Sequence, residues 1–299
     1  MRRAVCAFVF ALLFATGLVL GYQLRHGECT LPGYAGKLKS ILYALLLAIP
    51  LTALTYCVYG WLETRNKNRR TIVKGWPSRK VFFVSYAVIF ICWISVFLAY
   101  YPAIMAYDFN MQSLQAAWGP PYFSAQHPIV HTLFIWVCFV FSEAAGSYQL
   151  GMALYSVVQM LIFSAALAYA VNFIYRLKGR LWACCATAFF AIFPYISILS
   201  VSVTKDTLFS GFFLVFILLI AERFLFADKW DMRKLNALTV LFGILTILFR
   251  KNAVYAMFIF FVICLCVVKV KTQRGVLGVL AGTLAPGWFC RRTPARRSR

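Results

Sequence analysis

The chain has 299 residues, 63% of them hydrophobic and only 13% charged, and its mean hydropathy is +0.80. Those values exclude a water-soluble globular chain of this length and call for an integral membrane protein. The net charge of +22 does not point to nucleic acid, because Lys and Arg stand in short clusters between apolar runs, without a basic groove or recognition motif.

After Met1, Arg2 and Arg3, the first apolar run covers 4–22. It begins like a signal peptide, but it is long enough to span and has no clear small-x-small cleavage site, so it reads as an anchor. Further runs long enough, or nearly so, to cross about 30 Å of hydrocarbon lie at 40–60, 82–101, 148–174, 182–200, 207–227, 235–249 and 253–270. The expected fold is therefore all-α and polytopic, with about eight transmembrane helices. Of the ten cysteines, Cys6, Cys57, Cys92, Cys138, Cys184, Cys185, Cys264 and Cys266 fall within or beside these runs, where a thiol serves as a small hydrophobe. The adjacent pair Cys184 and Cys185 lacks the spacing of a metal or redox motif.

One more apolar run, "HTLFIWVCFVF" at 131–141, would rise only some 16 Å as a helix. The distribution of cations decides whether it crosses. If it does not, 24 of the 30 Lys and Arg share the side of both termini, and only Arg25, Lys37, Lys39, Lys205, Arg250 and Lys251 face the other. If it does, 12 are inside and 18 outside. The run is therefore expected to lie along or dip into the outer surface as a short interfacial helix within an external loop, 102–147. Both termini are expected in the cytoplasm of a cell-membrane protein.

That loop holds a stretch free of Lys and Arg, "YDFNMQSLQAAWGPPYFSAQHPIVHT" at 107–132. Asp108 is the one carboxylate between Glu63 and Glu143. On a helix starting after Pro102, Asp108, Gln112 and Gln115 would share a polar face at i, i+4 and i+7. A partly desolvated carboxylate there suits a general base; its ordinary alternative is a helix cap. His127 and His131 are four apart, with Pro128 where a helix would start. Their spacing is also used by zinc sites, but two histidines without a nearby cysteine make a weak metal signal. Hydrogen bonding to a substrate, or fixing the loop, is the stronger reading. Trp118, Tyr122 and Phe123 suit stacking on a sugar ring or an interfacial aromatic belt.

Two further patches share the outer side, "TKD" at 204–206 and "RKN" at 250–252. A lone Lys at a helix end ordinarily snorkels to the headgroups. Lys205, Arg250 and Lys251 instead stand on the side that is otherwise poor in cations, which suits a phosphate partner. Asp206 complicates this, since it can pair with Lys205 beside it.

Taken together, "YPAIMAYDFNMQSLQ", then "QHPIVHT", "VTKDTLF" and "FRKNAVY", over roughly residues 80–260, resemble the GT-C superfamily of polytopic membrane glycosyltransferases. The nearest likeness is to a bacterial branch in which Gln126 is often a His. The resemblance implies transfer of a sugar from a polyprenyl-phosphate-linked donor to a cell-envelope acceptor on the extracytoplasmic face, with inversion. Asp108 would be the base. Lys205, Asp206, Arg250 and Lys251 would form the phosphate side, and Gln112, Gln115, His127 and His131 would position sugar or acceptor. No cofactor is implied, and a divalent metal has only the histidine spacing behind it.

Residues 1–274 thus read as the transmembrane transferase-like part. Residues 275–299 combine a short apolar stretch with a basic tail of disordered composition, as in a shortened family member. The rival readings are a transporter or flippase for a lipid-linked or anionic substrate, a docking subunit, and an inactive shortened homologue.

Overall fold

A computed structural model of the chain describes residues 2–25, 34–67, 78–106, 109–123, 127–226, 231–250 and 252–258. The chain is an all-α polytopic membrane protein. It divides into two compact units, 1–72 and 73–299.

The first unit is a helical hairpin of α1 (Arg2–Arg25) and α2 (Tyr34–Lys67). Ala7, Ala11, Ala15 and Val19 recur every four residues on α1 and are buried, as are Ala44 and Ala48 on α2. Small side chains on one helical face let two backbones approach closely where lipid gives no hydrophobic drive for association. The remaining faces expose large apolar residues such as Phe10, Leu13, Leu46 and Ile49, as lipid contact requires.

The second unit is built on α6 (Tyr148–Lys178), which packs against α3 (Arg79–Ala99), α5 (Ile129–Ala144), α7 (Arg180–Ile192), α8 (Pro194–Val201) and α9 (Lys205–Leu225). Helix α10 (Met232–Phe249) completes the set against α9. Asn172 on α6 bonds to both backbone groups of Ser78, so α3 begins where α6 ends. Arg223 bonds to Asn236, so α9 ends where α10 begins. At that end of the unit stand Arg79, Lys80, Arg176, Lys178, Arg180, Arg223, Arg233 and Lys234. The opposite end carries the one two-stranded sheet among the described residues, β1 (Ile104–Met105) parallel to β2 (Ser202–Val203). We refer to the basic end and the strand end.

Among the described residues, five helices are long and apolar enough to cross a membrane: Leu38–Val58 within α2, then α3, α6, α9 and α10. The expected run 182–200 is the pair α7–α8, bent by 57°. Its bend has a covalent cause. Pro194 has no N–H, so the carbonyl four residues back, on Phe190, loses its helical donor. Buried Trp93 of α3 supplies a replacement, its indole N–H reaching that oxygen at 3.1 Å, as membrane burial of backbone demands. The first expected run is helix α1, whose apolar stretch Ala7–Tyr22 is shorter. The eighth, 253–270, is helical from 253 to 258 and otherwise lies outside the described residues, as does the whole 275–299 tail.

The short run at 131–141 is a longer helix than its apolar core, because α5 starts at Ile129 after the cap at Pro128 and ends at Ala144. Its 16 residues rise about 24 Å, below a full span. It runs antiparallel along the first turns of α6: Gly151 lies against Ser142 and Cys138, and Phe134 meets Tyr155 at 4.7 Å between rings. Helix α6 has 31 residues, about 46 Å. The stretch from Gln159 to the basic end already accounts for about 30 Å, so α5 accompanies the part of α6 that extends past the strand end.

Candidate functional site

The strand end gathers sequence-distant segments. Beyond α3 the chain passes Pro102, whose carbonyl accepts from Ser156 Oγ of α6 at 2.9 Å. Ile104 and Met105 then pair with Ser202 and Val203. This register sets the segment before α4 (Phe109–Trp118) beside the residues that open α9. Phe109, Ala116, Ile135, Cys138, Met152, Tyr155 and Val203 share one buried cluster, which fixes α4, α5, α6 and β2 together.

Helix α9 starts by capping. Thr204 is extended, and its Oγ1 accepts from the Asp206 N–H at 3.3 Å, as a Thr cap does. Thr207 Oγ1 donates to the Leu199 carbonyl at 2.9 Å, tying the new helix to the end of α8. Lys205 is the first residue of α9 and is half-buried. Asp206 Oδ1 accepts from Arg250 Nη1 at 2.8 Å, both side chains being 44% exposed, and the guanidinium sits 5.2 Å from the Phe209 ring centre. Asp206 therefore has a partner across helices, joining the start of α9 to the end of α10.

Beneath this charged rim runs a buried polar line. Gln112 of α4 is 1% exposed, His131 of α5 1%, and Tyr155 and Gln159 of α6 both 0%. His131 Nδ1 bonds to the Gln112 amide, and His131 Nε2 is 2.7 Å from Tyr155 Oη. The Tyr155 hydroxyl donates to Gln159 Oε1 at 3.0 Å. Gln159 Nε2 donates to the carbonyls of Ser202 at 2.7 Å and Ser200 at 2.9 Å, with that of Leu199 at 3.4 Å. The line thus starts on α4 and ends on the backbone leading into β2. Ser200 and Ser202 leave their carbonyls open to it because α8 stops there, with Ser202 already extended.

The predicted site residues separate into two groups. Lys205, Asp206 and Arg250 lie at the rim. Gln112 and His131 are bonded to each other in the interior rather than set on an open face, while Gln115 is half-buried one turn along α4. His127 is half-buried and precedes α5, so the two histidines do not stand on one helical face. Asp108 and Lys251 lie outside the described residues, as do Tyr107 and Gln126. Among the described residues no three His, Cys, Asp or Glu side chains come together as metal ligands would.

Tyr155 and Gln159 went unnoticed in the sequence, although two polar residues one turn apart inside the run 148–174 are a signal of a shared polar task in a membrane helix. Arg176 and Glu222 are paired at 2.6 Å and each 1% exposed; in the sequence Arg176 stands only as one cation of a basic cluster, and nothing there marks Glu222 as its partner. Only packing brings the parts of each patch together.

Residues 118–285, more than half of the chain, match the protein-family model described as "Family of unknown function (DUF6020)". The chain belongs to that family. No curated protein and no solved structure matches it.

Proposed function

We propose that this member of a family without an assigned function transfers a sugar from a polyprenyl-phosphate-linked donor to a cell-envelope acceptor at the strand end. The reading comes from the resemblance to GT-C glycosyltransferases. The observation that carries it further is the convergence at one end of the helices: β1 pairs with β2, and Asp206 of α9 pairs with Arg250 at the close of α10. Parts of the segments bearing the resemblance, at 104–105, 202–206 and 250, are therefore neighbours although far apart in sequence.

In this reading Asp108 takes the acceptor hydroxyl proton. The acceptor oxygen attacks the anomeric carbon, the bond from that carbon to the phosphate oxygen breaks, and polyprenyl phosphate leaves with the electron pair. Lys205 and Arg250, with Lys251 next in sequence, offset the charge that develops on the phosphate. Arg250 binds the leaving group at the cost of its exposed pair with Asp206, which is weak in water.

The eight cations at the basic end, against Lys205 and Arg250 among the described residues at the other, favour a cytoplasmic basic end and an extracytoplasmic site. Both termini are then cytoplasmic, by the charge count over the whole chain. The reading is tested with a panel of radiolabelled polyprenyl-phosphate sugars in membranes carrying matched amounts of wild type or Asp108→Asn. Transfer by the wild type that is lost in the variant supports it. Equal transfer by both removes Asp108 from the chemistry, and passage of labelled lipid across the bilayer without transfer replaces the enzyme by a flippase.

A further inference from the structure

The buried polar line has a direction. Gln159 Nε2 faces three carbonyl oxygens, and only an N–H group can satisfy them, so the amide's other atom is an acceptor. Tyr155, 3.0 Å from that acceptor, must spend its single hydrogen there. Its oxygen is then left to accept, and the partner at 2.7 Å is His131 Nε2, which therefore carries a hydrogen. Backbone carbonyls at the close of α8 and in β2 thus dictate the tautomer of a histidine on α5. Nδ1 of that ring is then an acceptor, so the Gln112 amide must present its N–H there; turning the amide by 180° exchanges the Oε1 at that contact for the Nε2 that otherwise has no partner among the described residues.

We infer that Tyr155 and Gln159 are positioning residues for the strand-end site, acting through His131 to hold Gln112, and with it α4, in register with β2. Gln112 follows position 108 by four residues in the sequence, and β2 runs directly into Thr204, Lys205 and Asp206. The line is a brace between the two sides of the rim, made of groups that touch neither donor nor acceptor. A dry site makes such a brace stiff, because each member removed leaves its neighbours unsatisfied away from water.

The activity arm of the test rests on the sugar-transfer reading; the second arm does not. In the first, Tyr155→Phe and Gln112→Leu each lower kcat about 10- to 100-fold, the cost of a buried bond left half-made, with KM for donor and acceptor within about threefold. No hydrogen bond joins these two residues directly, so independent packing defects would multiply. The brace instead makes the double variant no more than about threefold worse than either single one. His131→Gln, which keeps a donor for Tyr155 and an acceptor for Gln112, retains more activity than His131→Leu.

In the second arm, hydrogen exchange is followed on the purified full chain in detergent, without substrate. Amides of 109–118 exchange at least about tenfold faster in Tyr155→Phe, those of α3 do not, and Gln112→Leu adds little to the effect. Unchanged α4 protection in Tyr155→Phe, or multiplicative effects of the two substitutions, overturns the brace. Wild-type membranes that transfer no sugar overturn the reaction, while the exchange arm still decides the brace.

Discussion

Removing one partner of the buried ion pair at the basic end is expected to destabilise the helix bundle far more than removing both. Arg176 and Glu222 are each 1% exposed and meet at 2.6 Å. Tyr169 donates to the same carboxylate oxygen at 3.0 Å, and the guanidinium lies 3.9 Å from the Phe226 ring centre. Arg176 Nε and Nη2 have no hydrogen-bond partner among the described residues, so the contact with Glu222 offsets most of the cost of burying that charge. Glu222→Leu strands the guanidinium and should cost about 3–5 kcal/mol, whereas Arg176→Met with Glu222→Leu should return to within about 2 kcal/mol of wild type. For a unit of this size the single variant lowers Tm by on the order of 10 °C, followed by circular dichroism of the detergent-solubilised protein. A single variant within about 2 °C of wild type, or a double variant as unstable as the single, would refute the reasoning.

Gly151→Ala places a methyl 1.7 Å from Ser142 Oγ and 2.5 Å from the Cys138 carbonyl; it should cost about 1–3 kcal/mol. Ser142→Ala should not rescue it, since the carbonyl cannot move aside, as thermal unfolding of the pair would show. Gly211→Ala, whose new methyl meets Phe163 at 3.3 Å, should stay within about 1 kcal/mol in the same assay. Arg250→Ala should change stability by less than about 1 kcal/mol, because its pair with Asp206 is exposed, yet lower sugar transfer roughly tenfold or more through lost charge stabilisation. Trp93→Phe frees the Phe190 carbonyl and should cost about 1–3 kcal/mol, read as faster hydrogen exchange around the α7–α8 bend. In a cysteine-free background, Ser147→Cys should react with an impermeant maleimide added outside cells and Lys178→Cys should not; the reverse pattern would invert the proposed orientation.

The membrane class and most spans were legible in the sequence because both depend on sums over many residues: apolar runs of about twenty, and clusters of Lys and Arg between them. Pro128 likewise marked the start of α5 correctly, since a missing N–H and a fixed φ are local properties. The break at Pro194 was not read, although its cause is also local, because the run 182–200 stayed apolar through it and composition cannot register a lost donor. Nor could any local rule show that Ile104 would pair with Ser202, that Asp206 would find Arg250 of another helix, or that His131 would turn inward to Tyr155. A buried polar group takes whichever partner the packing of distant helices delivers, since leaving it unpaired costs more than any local preference is worth. The sequence by itself determined which segments enter the membrane; only the tertiary structure decided which of their few polar groups meet.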